Sequence, residues 1–246
     1  MRSAVTIGII ALTVAAVCVR LGFWQVDRLD QRRDRNSVAL AALDRPPITL
    51  NPAAARAISA TPGDFTYRRA VIEGEMLTDR QVVWRGRSLA GRPGVNLLAP
   101  MRIVGSDAVA LVNRGWVPSD DAATVEPRHL EAAPPTSLRG LLVPFAGPDA
   151  DPWLVTNGSA ASVGTPSLAA LREATRLPLL PLYLQLVADS TSAPDDTEPP
   201  IALPLPDLGD EGPHLMYAVQ WFGFAAVAMG GCLVLLWRAR RSDSND

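Results

Sequence analysis

Two uncharged apolar runs, residues 3–19 and 215–237, stand near opposite ends of the chain. The stretch between them alternates apolar and polar residues or breaks every few positions. At about 1.5 Å per residue the second run makes roughly 34 Å of helix, long enough to cross a hydrocarbon core with some tilt. Arg238, Arg240 and Arg241 close it. The first run is followed by Arg20, after which Leu21, Phe23, Trp24 and Val26 resume the apolar character. It reads as an uncleaved span, with Arg20 snorkelling to the surface and Trp24 in the interfacial belt. A cleaved signal peptide and a lipoprotein signal are its rivals, and Val17 directly before Cys18 fits the second poorly. Residues 21–35 contain no proline and space their acids and arginines three to five apart, so the helix is expected to continue and to end before Pro46-Pro47.

Between the spans the period shortens to two. Residues 67–76 alternate, with Ala70 and Ile72 on one face and Tyr67, Arg69 and Val71 on the other. Residues 81–85 follow a Thr78-Asp79 turn and predict a hairpin. Residues 94–103, 108–116, 138–144 and 179–188 predict further strands, with Gly105-Ser106-Asp107 as a turn. A short helix is predicted over 167–176 with Ser167 as its N-cap. The fold class is a membrane protein: two transmembrane helices flank an antiparallel, mostly β, α+β extracytoplasmic domain or small open barrel.

The expected divisions are a first span at 1–27, a juxtamembrane helix at 28–45, the α+β domain at 46–188, an acidic Pro-rich tether at 189–213, a second span at 214–237 and a tail at 238–246. Arginines follow the second span whereas Asp207, Asp210 and Glu211 precede it, which is expected to put both termini on the cytoplasmic side of the cell membrane and the main domain on the other. The arginines at 28–35 oppose that orientation locally.

Composition narrows the chemistry. All 23 basic residues are Arg, so a Schiff-base or P-loop lysine is excluded. A net charge of -2 supplies no field for nucleic acid. Cys18 and Cys232, the only cysteines, lie in different spans. In antiparallel helices they would stand about 15–20 Å apart along the membrane normal, too far for a disulfide. With His129 and His214 as the only histidines and no Gly-x-Ser-x-Gly elbow, a hydrolase triad has no support. No catalytic residue is assigned, and His129 reads as a solvated loop histidine.

His214 stands at the mouth of the second span, where an imidazole costs free energy unless something uses it. The three-and-four spacing places Tyr217, Ala218, Trp221, Phe222 and Ala225 beneath it. That surface suits a flat apolar ring such as a porphyrin, with His214 as an axial ligand to haem iron and Arg20 or Arg28 pairing with propionates. An interfacial histidine beside ordinary belt aromatics is the alternative. Gly223, Ala226, Gly230 and Gly231, with Ala11 and Ala15, are expected to let the spans pack closely. Asn113-Arg114-Gly115-Trp116 ends an apolar strand, with Arg114 and Trp116 sharing a face as a lock between domain and stalk or as a partner contact.

Three blocks together resemble the surfeit locus protein 1 family of cytochrome c oxidase assembly factors. They are Leu21-Gly22-Phe23-Trp24-Gln25 with Arg28, Val112-Asn113-Arg114-Gly115-Trp116-Val117-Pro118, and His214-Leu215-Met216-Tyr217-Ala218 with Trp221. Pro213 and Gln220 depart from the family's usual Asn before the histidine and Thr before the tryptophan. The resemblance implies a non-enzymatic factor that supports insertion of haem a into oxidase subunit I, with His214 as the haem ligand. It implies subunit I and the haem a synthase as partners beside the lipid bilayer. A second axial ligand is not evident in the chain, and a second protomer of a homo-oligomer, the synthase or subunit I could supply it. The rivals are a scaffold that stabilises an oxidase intermediate without haem, and an envelope enzyme using Glu73, Glu75 and Asp79.

Overall fold

The computed structural model describes residues 2–131, 136–145, 155–157, 160–187, 198–205 and 210–243. Much of the expected tether, residues 189–197 and 206–209, lies outside them. The chain forms two compact units, Met1–Val38 with Asp207–Asp246, and Ala39–Pro206.

The first unit is a pair of helices, each long and apolar enough to cross a membrane. Helix α1 (Arg2–Leu43) is unbroken over 42 residues, because nothing before Pro46 removes a backbone donor. The helix thus continues past the first apolar run and ends before Pro46-Pro47, as expected. Helix α5 (His214–Asp243) is the second.

The second unit is mostly β. Its strands are β1 (Ile48–Leu50), β2 (Arg69–Met76), β3 (Val82–Leu89), β4 (Arg92–Ile103), β5 (Val109–Pro118), β6 (Ser137–Pro144), β7 (Val155–Asn157), β8 (Ala160–Val163) and β9 (Leu179–Leu186). They pair in the order β1-β2-β6-β9-β5-β4-β3-β8-β7, and a further β2–β4 pairing closes β2, β6, β9, β5 and β4 into a ring. The expected strands are present, and three parallel pairings (β1–β2, β3–β8 and β5–β9) join the antiparallel ones. Residues 67–85 do not form the expected hairpin. β2 and β3 instead occupy successive stretches of one edge of β4, a strand long enough to take both.

Inward residues of all five ring strands make one core: Ala70 and Ile72, Met101 and Ile103, Ala110 and Val112, Leu142, and Leu180, Leu182 and Leu184. Helix α2 (Pro52–Ala60) adds Ala55 and Ile58 to it. This helix has no counterpart among the expected elements, because an alanine-rich run carries almost no apolar period. Its signal is the cap: Asn51 Oδ1 accepts the Ala53 and Ala54 amides at 3.0 and 2.9 Å, ahead of Pro52 in the first turn.

A second core lies on the outer face of the sheet, where Leu98, Val109, Leu111 and Tyr183 meet Leu171 of helix α4 (Leu168–Thr175). That helix starts where expected, with Ser167 Oγ accepting the Ala170 amide at 3.3 Å. A third cluster, Val83, Val95, Leu97 and Val117, packs against Val125 and Leu130 beside helix α3 (Pro127–Glu131).

Candidate functional site

Most of the residues singled out in the sequence lie on the helical hairpin or at a bulge in β5.

Along α1, Ala15, Cys18, Gly22, Gln25, Leu29, Arg32 and Asn36 recur in alternating steps of three and four and are its buried or half-buried stripe. His214, Ala218, Trp221, Ala225, Ala228 and Cys232 do the same on α5. This is the spacing of a heptad seam, here filled by small side chains. Ala15, Cys18 and Ala225 form its packed centre, with Trp221 against it. Gly22 leaves room for Phe222, since a Cβ there would come within 2.6 Å of that ring. The small residues expected at the seam of α5 are displaced from it: Gly223, Ala226, Gly230 and Gly231 are exposed, out of phase with Ala218 and Ala225. Cys232 Sγ lies 3.9 Å from where a Cβ on Gly8 would stand, ten residues along α1 from Cys18, and both thiols are free.

At the mouth of α5 the His214 Nδ1 lies 2.9 Å from Gln25 Oε1. Where Nδ1 donates its proton to that amide oxygen, the lone pair resides on Nε2. A histidine held this way by an outer partner is set up to ligate a metal through its other nitrogen. The aromatic wall expected below it is arranged differently. Trp221 and Phe222 are half-buried at the seam with α1, and Phe222 meets Phe23 edge-on at 5.4 Å between centroids. Tyr217, three residues along α5 from His214, is exposed at 47%.

Arg20 is exposed and lies five residues from Gln25, about 140° around the helix at about 100° per residue. With Trp24 and Arg28, each four residues on, it forms a column off the seam, and the Arg28 guanidinium stands 5.6 Å from the Trp24 ring centre. The structure therefore does not bring Arg20 to the His214 imidazole.

A polar clamp lies just beyond His214, on residues that carried no assigned role. Arg32 Nη2 donates to Asp210 Oδ2 at 2.9 Å and its Nε to the Asp210 carbonyl at 2.8 Å. Asn36 donates to that same carbonyl at 3.2 Å. Arg33 grips Glu211 with two hydrogen bonds of 2.8 Å. The Arg33 hydrogen bond holds the Glu211 carboxyl below the usual carboxylate range.

The Asn113-Arg114-Gly115-Trp116 block is a β-bulge. Leu98 opposes Asn113 and Leu97 opposes Gly115, which leaves Arg114 as the extra residue. The bulge cancels the alternation, so Arg114 and Trp116 do not share a face as expected. The Trp116 indole covers Gly94, where a Cβ would stand 2.4 Å from Nε1. The Arg114 side chain, buried at 7% exposure, instead donates to Gln81 Oε1 at 2.6 Å and to the His129 carbonyl at 3.4 Å. Gln81 passes the link on to the Thr78 and Leu130 carbonyls. Burial lowers the Arg114 pKa from its ordinary value.

Gly115 adopts φ +127 while Trp116 exchanges two 2.7 Å backbone hydrogen bonds with Ile201. A Cβ at Gly115 would lie 2.2 Å from the Ile201 carbonyl oxygen. The block thus ties parts of the barrel domain together, its partners among the described residues being Gln81, α3 and Ile201. His129 belongs to this lock: it is 9% exposed within α3, not a solvated loop residue. Glu75 and Asp79 lie on the surface in pairs with Arg102 and Arg80, and Glu73 is exposed.

Comparison with known proteins adds a common ancestry to this geometry. An uncharacterized SURF1-like protein of Mycobacterium tuberculosis strain H37Rv is 29% identical over 251 residues, covering 98% of this chain and 86% of the relative. A SURF1-like protein of Monosiga brevicollis is 26% identical over 240 residues, with 89% and 83% covered. One of Rickettsia felis is 25% identical over 229 residues, with 88% and 91% covered. The model of the SURF1 family matches residues 12–226, which takes in the hairpin seam as far as Ala225 and the whole barrel, and the chain belongs to that family.

Proposed function

We propose that this chain is a membrane-anchored assembly factor for a haem-copper (cytochrome c) oxidase that assists insertion of haem a into subunit I. It acts without catalysing a reaction of its own, and His214 is its haem contact. The SURF1 family, known generally as one of oxidase assembly factors, supports the first part. The observation that carries the second is the 2.9 Å hydrogen bond from His214 Nδ1 to Gln25, which leaves Nε2 as the ligating atom.

The residues fit such a group at one edge: Nε2 of a half-buried imidazole with the exposed Tyr217 three residues along the same helix. When bound there, haem would supply an iron that accepts one nitrogen ligand from this chain, and the haem a synthase or subunit I is the proposed donor of a second. In this reading both termini lie in the cytoplasm and the barrel domain lies outside the cell membrane. The pairing of Arg32 and Arg33 with Asp210 and Glu211 supports that orientation, because it neutralises part of the arginine cluster that opposes it.

The burial of Trp221 and Phe222 at the seam favours a second reading, a scaffold that stabilises an oxidase intermediate without haem. Purification in detergent with an absorbance spectrum, for wild type and His214→Ala, separates the two. A haem band that His214→Ala abolishes, with loss of oxidase haem, supports the first reading. A bandless wild type, with His214→Ala leaving oxidase haem unchanged, overturns it. Deletion should leave subunit I present but haem-poor under the first reading and missing under the second.

A further inference from the structure

Helix α5 begins at His214, and what precedes it is tied to α1 more firmly than its surface position requires. Asp210 is held by both ends: its carboxylate takes the Arg32 guanidinium at 2.9 Å and the Gly212 amide at 2.8 Å. Its carbonyl takes Arg32 Nε at 2.8 Å and Asn36 at 3.2 Å. Glu211 is gripped by both nitrogens of the Arg33 fork. Gly212 then turns the chain at φ +70, a conformation that glycine enters without strain. A Cβ there would stand 3.5 Å from His214 Cδ2 and 3.6 Å from Arg32 Nη1, so imidazole and guanidinium crowd the same point. The Pro213 carbonyl takes the Tyr217 amide at 3.1 Å and starts the helix.

One exposed ion pair contributes little, because water screens it and two long side chains must be ordered. These pairs differ in being forked, and Arg32 also shares the Asp210 carbonyl with Asn36, so that pair fixes a backbone position as well as a charge. Arg32 and Asn36 also continue the α1 stripe that carries Gln25. One helix face therefore holds both the imidazole and the segment that introduces it.

We infer that Arg32, Arg33, Asp210 and Glu211 are positioning residues for His214: their clamp sets the register in which the imidazole meets Gln25 and turns Nε2 outward. The inference rests on the reading of His214 as the functional imidazole and adds what holds it in place. Opening the clamp frees the start of α5, and the Gln25 hydrogen bond weakens with it.

The test uses the full chain in lipid nanodiscs with 15N-labelled histidine. Only His129 and His214 contribute signals, and His214→Ala assigns them. Arg33→Glu and Glu211→Arg, made singly, should each shift the His214 ring nitrogens away from the Nδ1–H form and weaken haemin binding about two- to fivefold. The charge-swapped double variant should restore both, and an unchanged His129 signal shows that the barrel domain has stayed folded. Unmoved His214 nitrogens in both single variants, or a double variant that restores nothing, overturn the inference. If the nitrogens shift and recover as described while wild type binds no haemin, the clamp stands and the haem reading falls.

Discussion

Gln25 and His214 are 189 positions apart in the chain, and the Gln25 side-chain oxygen holds the His214 Nδ1 at 2.9 Å. Gln25 is buried at 9% exposure, so this oxygen has little access to water in place of the imidazole. Gln25→Leu keeps an apolar seam but removes the acceptor. The imidazole should then move toward the Nε2–H form, which cannot ligate through Nε2. If the haem reading holds, affinity should fall about 10- to 100-fold, the usual cost of losing an outer partner of a metal-bound histidine. Ring-nitrogen shifts and a haemin titration check this. An unchanged tautomer in the variant would deny Gln25 its part.

Gly115 combines φ +127 with a backbone oxygen 2.2 Å from where a Cβ would be. Neither the strain nor the contact relaxes by turning a side chain. Gly115→Ala should cost at least about 2 kcal/mol and break the Trp116–Ile201 pairing. Thermal unfolding of the detergent-solubilised protein, with hydrogen exchange at the Ile201 amide, would show it.

Arg114 and Gln81 form a buried pair of one cation and one amide, 2.6 Å apart. Gln81→Leu removes the principal acceptor of a buried guanidinium and should destabilise by about 3 kcal/mol. Arg114→Met removes the charge as well as the bond, so it should cost less than Gln81→Leu. Chemical denaturation of the two variants ranks them, and the reverse order would mean that the guanidinium is satisfied mainly by other groups.

Tyr183 is 6% exposed, and burial pushes its hydroxyl up to about 12. The unfolded chain ionises near the ordinary value of about 10. Stability from keeping this phenol neutral is therefore complete below about pH 10 and is lost as pH rises toward 12. The loss is on the order of 2–3 kcal/mol. Tyr183→Phe, which cannot ionise, should flatten that part of the stability profile measured between pH 9 and about 12. A slope identical to wild type would place the alkaline sensitivity elsewhere.

Several features followed from the order of residues alone. Two long apolar runs can only be satisfied as helices in a bilayer or against one another, and period-two alternation names strands before any partner is known. Ser167 announces α4 because capping is a local hydrogen bond. The three blocks that carry the family resemblance needed no coordinates either.

Other features depended on what the fold brings together. In a run that is apolar all round, hydrophobicity marks no face, so the seam through Ala218 and Ala225 emerges only when α1 lies against it. A bulge is a mismatch between two strands, which neither strand contains by itself. It is the offset between Leu97 and Leu98 that sends Arg114 and Trp116 to opposite faces of the sheet. The ring closes through β2–β4, a pairing between strands that the whole of β3 separates in the chain. His214 was conspicuous as a histidine at a helix mouth. Its hydrogen-bond partner Gln25, the Phe23 ring against Phe222 below it and the Arg32 clamp ahead of it come together only because the chain returns antiparallel to its own first helix.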